Sequence, residues 1–333
     1  MDNTIMLITY ADSLGKNLKE LGGVLRDHLD GVVGAVHILP FFPSSADRGF
    51  APMRYDMVDP AFGDFEDIRA IAQRHAVMFD FMVNHISAHS PYFEDFLKNK
   101  DASPYRDMFI RYKDFWPGGA PTEDQVDRIY KRKPRAPSIT VTFADGTTED
   151  IWCTFCEEQI DLNMNSAVAR KFIRSTLRDM CEKGAAVIRL DAFAYAPKEV
   201  GARNFMNDPG TWELLDKVQE IAVPLGVTLL PEIHASYAEK TYALLADKGY
   251  MVYDFFLPGL LIDMFERKSG EYLKRWIDEI TEKGIRTVNM LGCHDGIPLL
   301  DLKGLLDEGS IQRLIDTVVA RGGYVKDLHG QKN

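Results

Sequence analysis

The chain has 333 residues, 46% apolar and 27% charged, enough for one large domain with an insertion rather than two unrelated domains. Its formal net charge of −11 argues against nucleic acid or an anionic membrane as the main partner, so any anion binding must come from a local basic cluster. No stretch approaches the roughly 18 apolar residues that span a bilayer, and no basic region precedes the first short apolar run, which together predict a cytoplasmic protein.

Apolar runs predict strands over 5–11, 33–41, 76–84, 185–193, 228–235, 251–258 and 286–294. Between them fall helical segments at 17–29, 64–75, 166–184, around 211–221, at 238–248, and a long helical region ending near 280. The helix over 64–75 opens with an acidic turn, as its dipole favours, and the one over 166–184 is bounded by Asn165 or Ser166 and by Gly184. Strands this apolar suit a parallel sheet covered on both faces, hence an α/β fold, either doubly wound or a (β/α)8 barrel. No Gly-x-Gly-x-x-Gly follows the first strand, and polar and aromatic side chains mark the strand ends, so the barrel is favoured. The excursion from His85 to about Asp161 exceeds a barrel loop and holds a hairpin around Asp145-Gly146. The expected division is a barrel over 1–85 and 162–295, an inserted domain over 86–161 leaning over the active-site mouth, and a region after strand 7 over 296–333.

Three predicted strands deliver carboxylates. Val-Ile-Arg-Leu-Asp ends at Asp191, Thr-Leu-Leu-Pro-Glu ends at Glu232, and His294-Asp295 follow Thr-Val-Asn-Met-Leu-Gly-Cys. A glycosidic bond yields to one carboxylate as nucleophile and another as acid and then base, with a third left to bind sugar hydroxyls or the developing positive charge. Arg189 lies two residues before Asp191, so both point the same way from the strand, and its charge favours an ionised nucleophile. Glu232, between Pro231 and Ile233 on an apolar strand, is placed for the raised pKa that a general acid needs. Phe50, Phe155 and Tyr195 read equally as sugar-facing or as ordinary core aromatics. Lys131, Arg132, Lys133 and Arg135 crowd into five positions, which fits a solvated face or an anion site. Cys153 and Cys156 form a lone Cys-x-x-Cys with no second pair at metal spacing, so Cys153, Cys156, Cys181 and Cys293 are expected to be thiols.

The order Asn84-His85, long insertion, Ile-Arg-Leu-Asp, Glu232, His294-Asp295 resembles the α-amylase superfamily of glycoside hydrolases and transglycosylases. Within it, Leu-Ile-Thr-Tyr-Ala-Asp-Ser-Leu-Gly (7–15), His-Ile-Leu-Pro-Phe-Phe-Pro-Ser-Ser (37–45), Asp-Arg-Gly-Phe-Ala-Pro (47–52), Ile-Tyr-Lys-Arg-Lys (129–133), Ile-Arg-Leu-Asp-Ala-Phe-Ala-Tyr-Ala (188–196) and Leu-Pro-Glu-Ile-His (230–234) are similar to the sucrose phosphorylases. The resemblance implies Asp191 as the nucleophile that forms a covalent β-glucosyl intermediate, Glu232 as acid/base and Asp295 as transition-state stabiliser. It implies Asp47, Phe50, His85, Arg189 and His294 around the glucosyl ring, and Phe155, Gln159 and Tyr195 near the acceptor. It further implies sucrose and inorganic phosphate as substrates, with glucose 1-phosphate and fructose as products, and no cofactor or metal. Asn84 stands where amylases can place a calcium ligand, yet the sucrose phosphorylases do not depend on one.

Two departures bear on this expectation. Leu-Gly-Cys-His-Asp-Gly-Ile-Pro (291–298) looks more like the relatives that cleave sucrose 6'-phosphate, and the basic cluster is a candidate site for phosphate itself or for a phosphorylated sugar. The resemblance also implies an eighth strand, an Asn-Arg-His segment and a C-terminal β-domain beyond Asn333, so a truncated and inactive fragment stands as an alternative, beside a hydrolase in which water replaces phosphate.

Overall fold

The structure, a computed structural model, describes residues 3–328 and 331–332, and the chain divides into two compact units, Met1–Leu229 and Leu230–Asn333. Of the segment expected over 296–333, His329, Gly330 and Asn333 lie outside the described residues.

The first unit opens with β1 (Met6–Thr9), α1 (Leu18–His28), β2 (Ala35–Ile38), α2 (Phe65–Ala72) and β3 (Ala76–Met82). Asn17 starts α1 by accepting the Glu20 backbone N–H at 3.0 Å, and Leu18, Leu21 and Leu25 form its buried stripe. Asp64 starts α2 through a reciprocal capping box with Asp67. The excursion follows, with β4 (His85–Ser87), α3 (Pro91–Asn99), α4 (Tyr112–Phe115), α5 (Glu123–Arg128), β5 (Ser138–Thr142), β6 (Thr148–Trp152) and β7 (Gln159–Asp161). The hairpin forms as the Asp-Gly turn predicts, β5 pairing with β6 across Thr142↔Thr148, and Gly146 supplies the left-handed residue at φ 81°. β4 pairs antiparallel with β7 at the base, His85 opposite Asp161. Then come α6 (Ala167–Glu182), β8 (Val187–Asp191) and α7 (Gly210–Ala222). The strands form one sheet in the order β1-β2-β3-β8-β9, with β9 (Thr228–Pro231) the strand at which the division falls. The register pairs Asp80 with Arg189 and Met82 with Asp191, so two ionisable side chains project side by side from adjacent strands.

The second unit holds α8 (Thr241–Asp247), β10 (Val252–Asp254), α9 (Leu257–Arg267), α10 (Glu271–Glu282), β11 (Thr287–Asn289) and α11 (Glu308–Ala320), with β10 and β11 paired in parallel. The single helical region expected up to Ile280 is two helices, because Lys268 turns left-handed at φ 55° and ends α9. Trp276 of α10 is buried against Tyr237, Tyr242 and Phe256, and its indole N–H donates to Asp254 at 3.0 Å. All seven expected strands are present, alternating with helices, and among the described residues no helix is long and apolar enough to cross a membrane.

Candidate active site

In the first unit the site is built around the end of β8. Arg189 is buried, and its Nη1 donates both to Asp191 Oδ1 at 3.0 Å and to Asp80 Oδ1 at 2.6 Å. Asp80 Oδ2 lies 2.7 Å from His37 Nε2, which extends the chain of contacts across β8, β3 and β2. Burial alone would raise the Asp80 carboxyl, but His37 and Arg189 more than offset it and hold Asp80 below the usual carboxylate range. Directly after Asp191, Ala192 adopts φ 52° and ψ 18°, a left-handed conformation that costs about 1–2 kcal/mol for a residue with a Cβ. That residue breaks the strand and sends the chain into the turn Phe193–Tyr195, leaving Asp191 at the strand's edge, half-buried.

Asp47, Phe50 and His85 are brought together, and with them Gln159, a residue the resemblance put near the acceptor. Gln159 Nε2 donates to Asp47 Oδ2 at 3.1 Å and to the Phe50 carbonyl at 2.9 Å, and that carbonyl also receives His85 Nε2 at 2.9 Å. A carbonyl only accepts, so His85 carries its proton on Nε2. Burial holds the His85 pKa below the ordinary imidazole value, so the ring is neutral and Nδ1 is a lone pair with no partner among the described residues. Any hydrogen-bond donor would satisfy it. Asp47 and Arg48 are both left-handed, at φ 55° and 54°, and Gly49 follows because a Cβ there would meet the Pro40 carbonyl at 2.6 Å. Phe155 packs edge-on against His85 at 5.4 Å and Tyr195 at 5.0 Å, and Arg189 lies 5.6 Å from the Phe50 ring.

The basic cluster separates. Arg135 is the correction: its guanidinium is spent on the carbonyls of Ala136, Ser138, Cys153 and Phe155, which makes it a brace for the insertion. Lys131 pairs with Asp127 at 3.2 Å. Arg132 lies 6.0 Å from the Phe155 ring, and so borders the aromatic group around His85. None of the four cysteines is in a disulfide, and burial pushes the Cys153 thiol up to about 12.

Sequence reasoning missed Lys198. Its buried Nζ contacts Asp161 Oδ2 at 2.7 Å, Asn84 Oδ1 at 2.9 Å and the Tyr195 carbonyl at 2.8 Å. The oxygen of Asn84, read above as a possible cation ligand, is occupied by an ammonium.

In the second unit, Glu232 follows β9 with its side chain 11% exposed and its Oε1 3.2 Å from His234 Nε2. His234 Nδ1 is 3.1 Å from Asp301 Oδ2, a residue that no sequence signal singled out. The strand expected to reach His294 stops at Asn289, and Cys293 and Gly296 exchange backbone hydrogen bonds at 3.1 and 3.0 Å instead. His294 and Asp295 therefore occupy the tip of a tight turn, with Gly296 left-handed at φ 102°, and His294 Nε2 lies 3.4 Å from Asp295 Oδ2.

The family described as alpha amylase, catalytic domain, matches residues 6–296. A sucrose phosphorylase of Streptococcus mutans serotype c is 46% identical over 309 residues, covering 93% of this chain and 63% of the relative. A sucrose 6(F)-phosphate phosphorylase of Ilumatobacter coccineus is 41% identical, covering 99% of this chain and 69% of the relative. The crystal structure of sucrose 6F-phosphate phosphorylase from Thermoanaerobacter thermosaccharolyticum superposes with a TM-score of 0.93 at 39% identity, covering 99% of this chain and 67% of that one. The chain thus spans about two thirds of the length of the proteins it matches.

Proposed function

Because the chain belongs to the α-amylase family and has its α/β, TIM-barrel type of catalytic domain, we propose that it performs retaining phosphorolysis of sucrose, giving α-glucose 1-phosphate and fructose. Asp191 attacks C1 of the glucosyl unit and forms a β-glucosyl ester, while Glu232 protonates the departing fructosyl oxygen. Phosphate then attacks C1 from the side the fructosyl group left, the electron pair of the ester bond returns to Asp191, and Glu232 takes any proton that phosphate loses. Asp295 faces the positive charge that develops on the ring, and Asp47, Phe50, His85, Arg189 and His294 hold the glucosyl group. Gln159 sets Asp47 and the Phe50 carbonyl, Phe155 and Tyr195 border the acceptor, and Arg132 with Lys133 receives the anion. The reading needs no metal or cofactor, has only small-molecule partners, and places the enzyme in the cytoplasm.

The observation that carries this reading is the Asp80–Arg189–Asp191 chain of contacts, a buried cation held against a strand-end carboxylate. A second reading, phosphorolysis of sucrose 6'-phosphate, is favoured by the Cys-His-Asp-Gly-Ile-Pro turn at 293–298 and by the likeness to the two 6F-phosphate phosphorylases. Incubation of the purified protein with phosphate and either sucrose or sucrose 6'-phosphate tests both. Glucose 1-phosphate from sucrose supports the first, a strong preference for the phosphorylated donor supports the second, and free glucose alone from both would replace them with a hydrolase.

A further inference from the structure

Asp301 stands on the turn Leu299–Leu302, outside every motif read from the sequence, yet it reaches the acid/base candidate through a single side chain. His234 lies between two carboxylates, Asp301 Oδ2 at 3.1 Å from Nδ1 and Glu232 Oε1 at 3.2 Å from Nε2. When both carboxylates are ionised they only accept, so both ring nitrogens must carry protons, and the ring is an imidazolium. Phe255 stacks on it with 4.1 Å between centroids and an interplanar angle of 27°, which fixes the ring plane. A third carboxylate, Asp295, offers an oxygen within 4.8 Å of the His234 and Glu232 ligand atoms, and His294 faces that carboxylate in turn. Burial pulls the His234 pKa down, but the hydrogen bonds and charges of Asp301 and Glu232 push it up to about 10.

We infer that Asp301 is a positioning residue that holds His234 as a cation beside Glu232, and that this fixed cation admits an anionic acceptor, phosphate, to the glucosyl-enzyme. The inference rests on the phosphorylase reading given above. Once the leaving group has taken its proton, Glu232 is an anion, and an arriving phosphate meets like charge at close range. Water meets no such repulsion. The His234 charge offsets that of Glu232 on the Nε2 side of the ring, with Asp301 held at Nδ1, so phosphate meets less repulsion there and can approach, form its bond to C1 and release the electron pair to Asp191. Glu232 alone would leave His234 titrating nearer neutrality. The second carboxylate keeps the cation present across the working range.

The test is Asp301→Asn, which keeps an acceptor for Nδ1 and removes the charge. The readout is the ratio of glucose 1-phosphate to free glucose at fixed phosphate, a partition within each turnover that does not depend on the fraction of folded protein. We expect the ratio to match that of the unsubstituted protein within about twofold at pH 6, where His234 keeps its proton, and to fall roughly tenfold at pH 8.5, with Asp301→Glu restoring it. An unchanged ratio at both pH values, or an equal fall at both, overturns the inference. A second measurement follows the His234 ring by NMR titration in both proteins, and it does not require turnover. A His234 titration that does not move downward in Asp301→Asn overturns the charge-holding role. If the unsubstituted protein makes only free glucose while the titration moves, the phosphorylase reading and the acceptor role fail and the charge-holding role stands.

Discussion

Arg189 meets Asp191 at 3.0 Å because Asp80 holds the same guanidinium nitrogen from the other side at 2.6 Å. Removing the Asp80 charge leaves a buried guanidinium with one anchor fewer, and such losses cost roughly 3–5 kcal/mol of stability. A nucleophile displaced by even an ångström loses about 10²-fold in rate. Asp80→Asn is therefore expected to lower kcat by that order while leaving KM for the donor within about threefold, measured on protein shown to be folded by circular dichroism. A kcat near that of the unsubstituted protein would show that Arg189 does not depend on Asp80. The basic cluster makes a separate prediction, since Arg132 lies by the Phe155 ring whereas Arg135 is held on the Phe155 carbonyl and three others. Neutralising Arg132 and Lys133 together should raise KM for the anionic partner more than KM for sucrose, whereas Arg135→Gln should lower the melting temperature by loosening four carbonyl contacts. Asp191, Glu232 and Arg189 were legible in the sequence because their places depend only on where a strand ends and on two-residue periodicity. Lys198 with Asn84 and His234 with Asp301 were not, since they meet across 114 and 67 residues respectively.

At the scale of elements, the insertion holds its own charge cluster around β6. Glu149 is 9% exposed and accepts from Arg111 Nε at 2.7 Å and Nη2 at 2.6 Å, with Lys113 at 3.0 Å and Lys100 at 3.6 Å. The Arg111 hydrogen bonds, helped by Lys113, hold the Glu149 carboxyl down at about 2 despite its burial. A carboxyl depressed in the folded state contributes stability above its ordinary value, about 4.3, and that contribution is lost as pH falls toward about 2. Glu149→Gln should therefore cost about 2–3 kcal/mol at pH 7 and show a shallower loss of stability between about pH 4.5 and 2.5 than the unsubstituted protein. Parallel acid-unfolding curves for the two proteins would contradict this. The hairpin and the capped helices were readable from Asp145-Gly146, Asn17 and Asp64, which are local chemistry. The end of β11 was not, because the apolar run over Met290–Leu291 continues past Asn289 while the chain has already turned, and Leu291 is 77% exposed. Apolar pattern marks a strand only where a neighbour pairs with it.

Along the chain, the alternation of these seven strands with helices was readable from periodicity, and each of them formed where an apolar run stood. The two compact units were not readable in that way, since the division falls inside β9 with no break in composition. Asp191 lies in the first unit and Glu232 and Asp295 in the second. In the proposed reaction one covalent bond to Asp191 links two half-reactions. It is tested most directly on Glu232→Gln with α-glucosyl fluoride, whose leaving group needs no acid, followed by peptide mass analysis and then by addition of phosphate. A hexosyl adduct is expected on the peptide bearing Asp191, released by phosphate as α-glucose 1-phosphate. A β-configured product, or turnover of the fluoride by Asp191→Asn at the same rate, would contradict it.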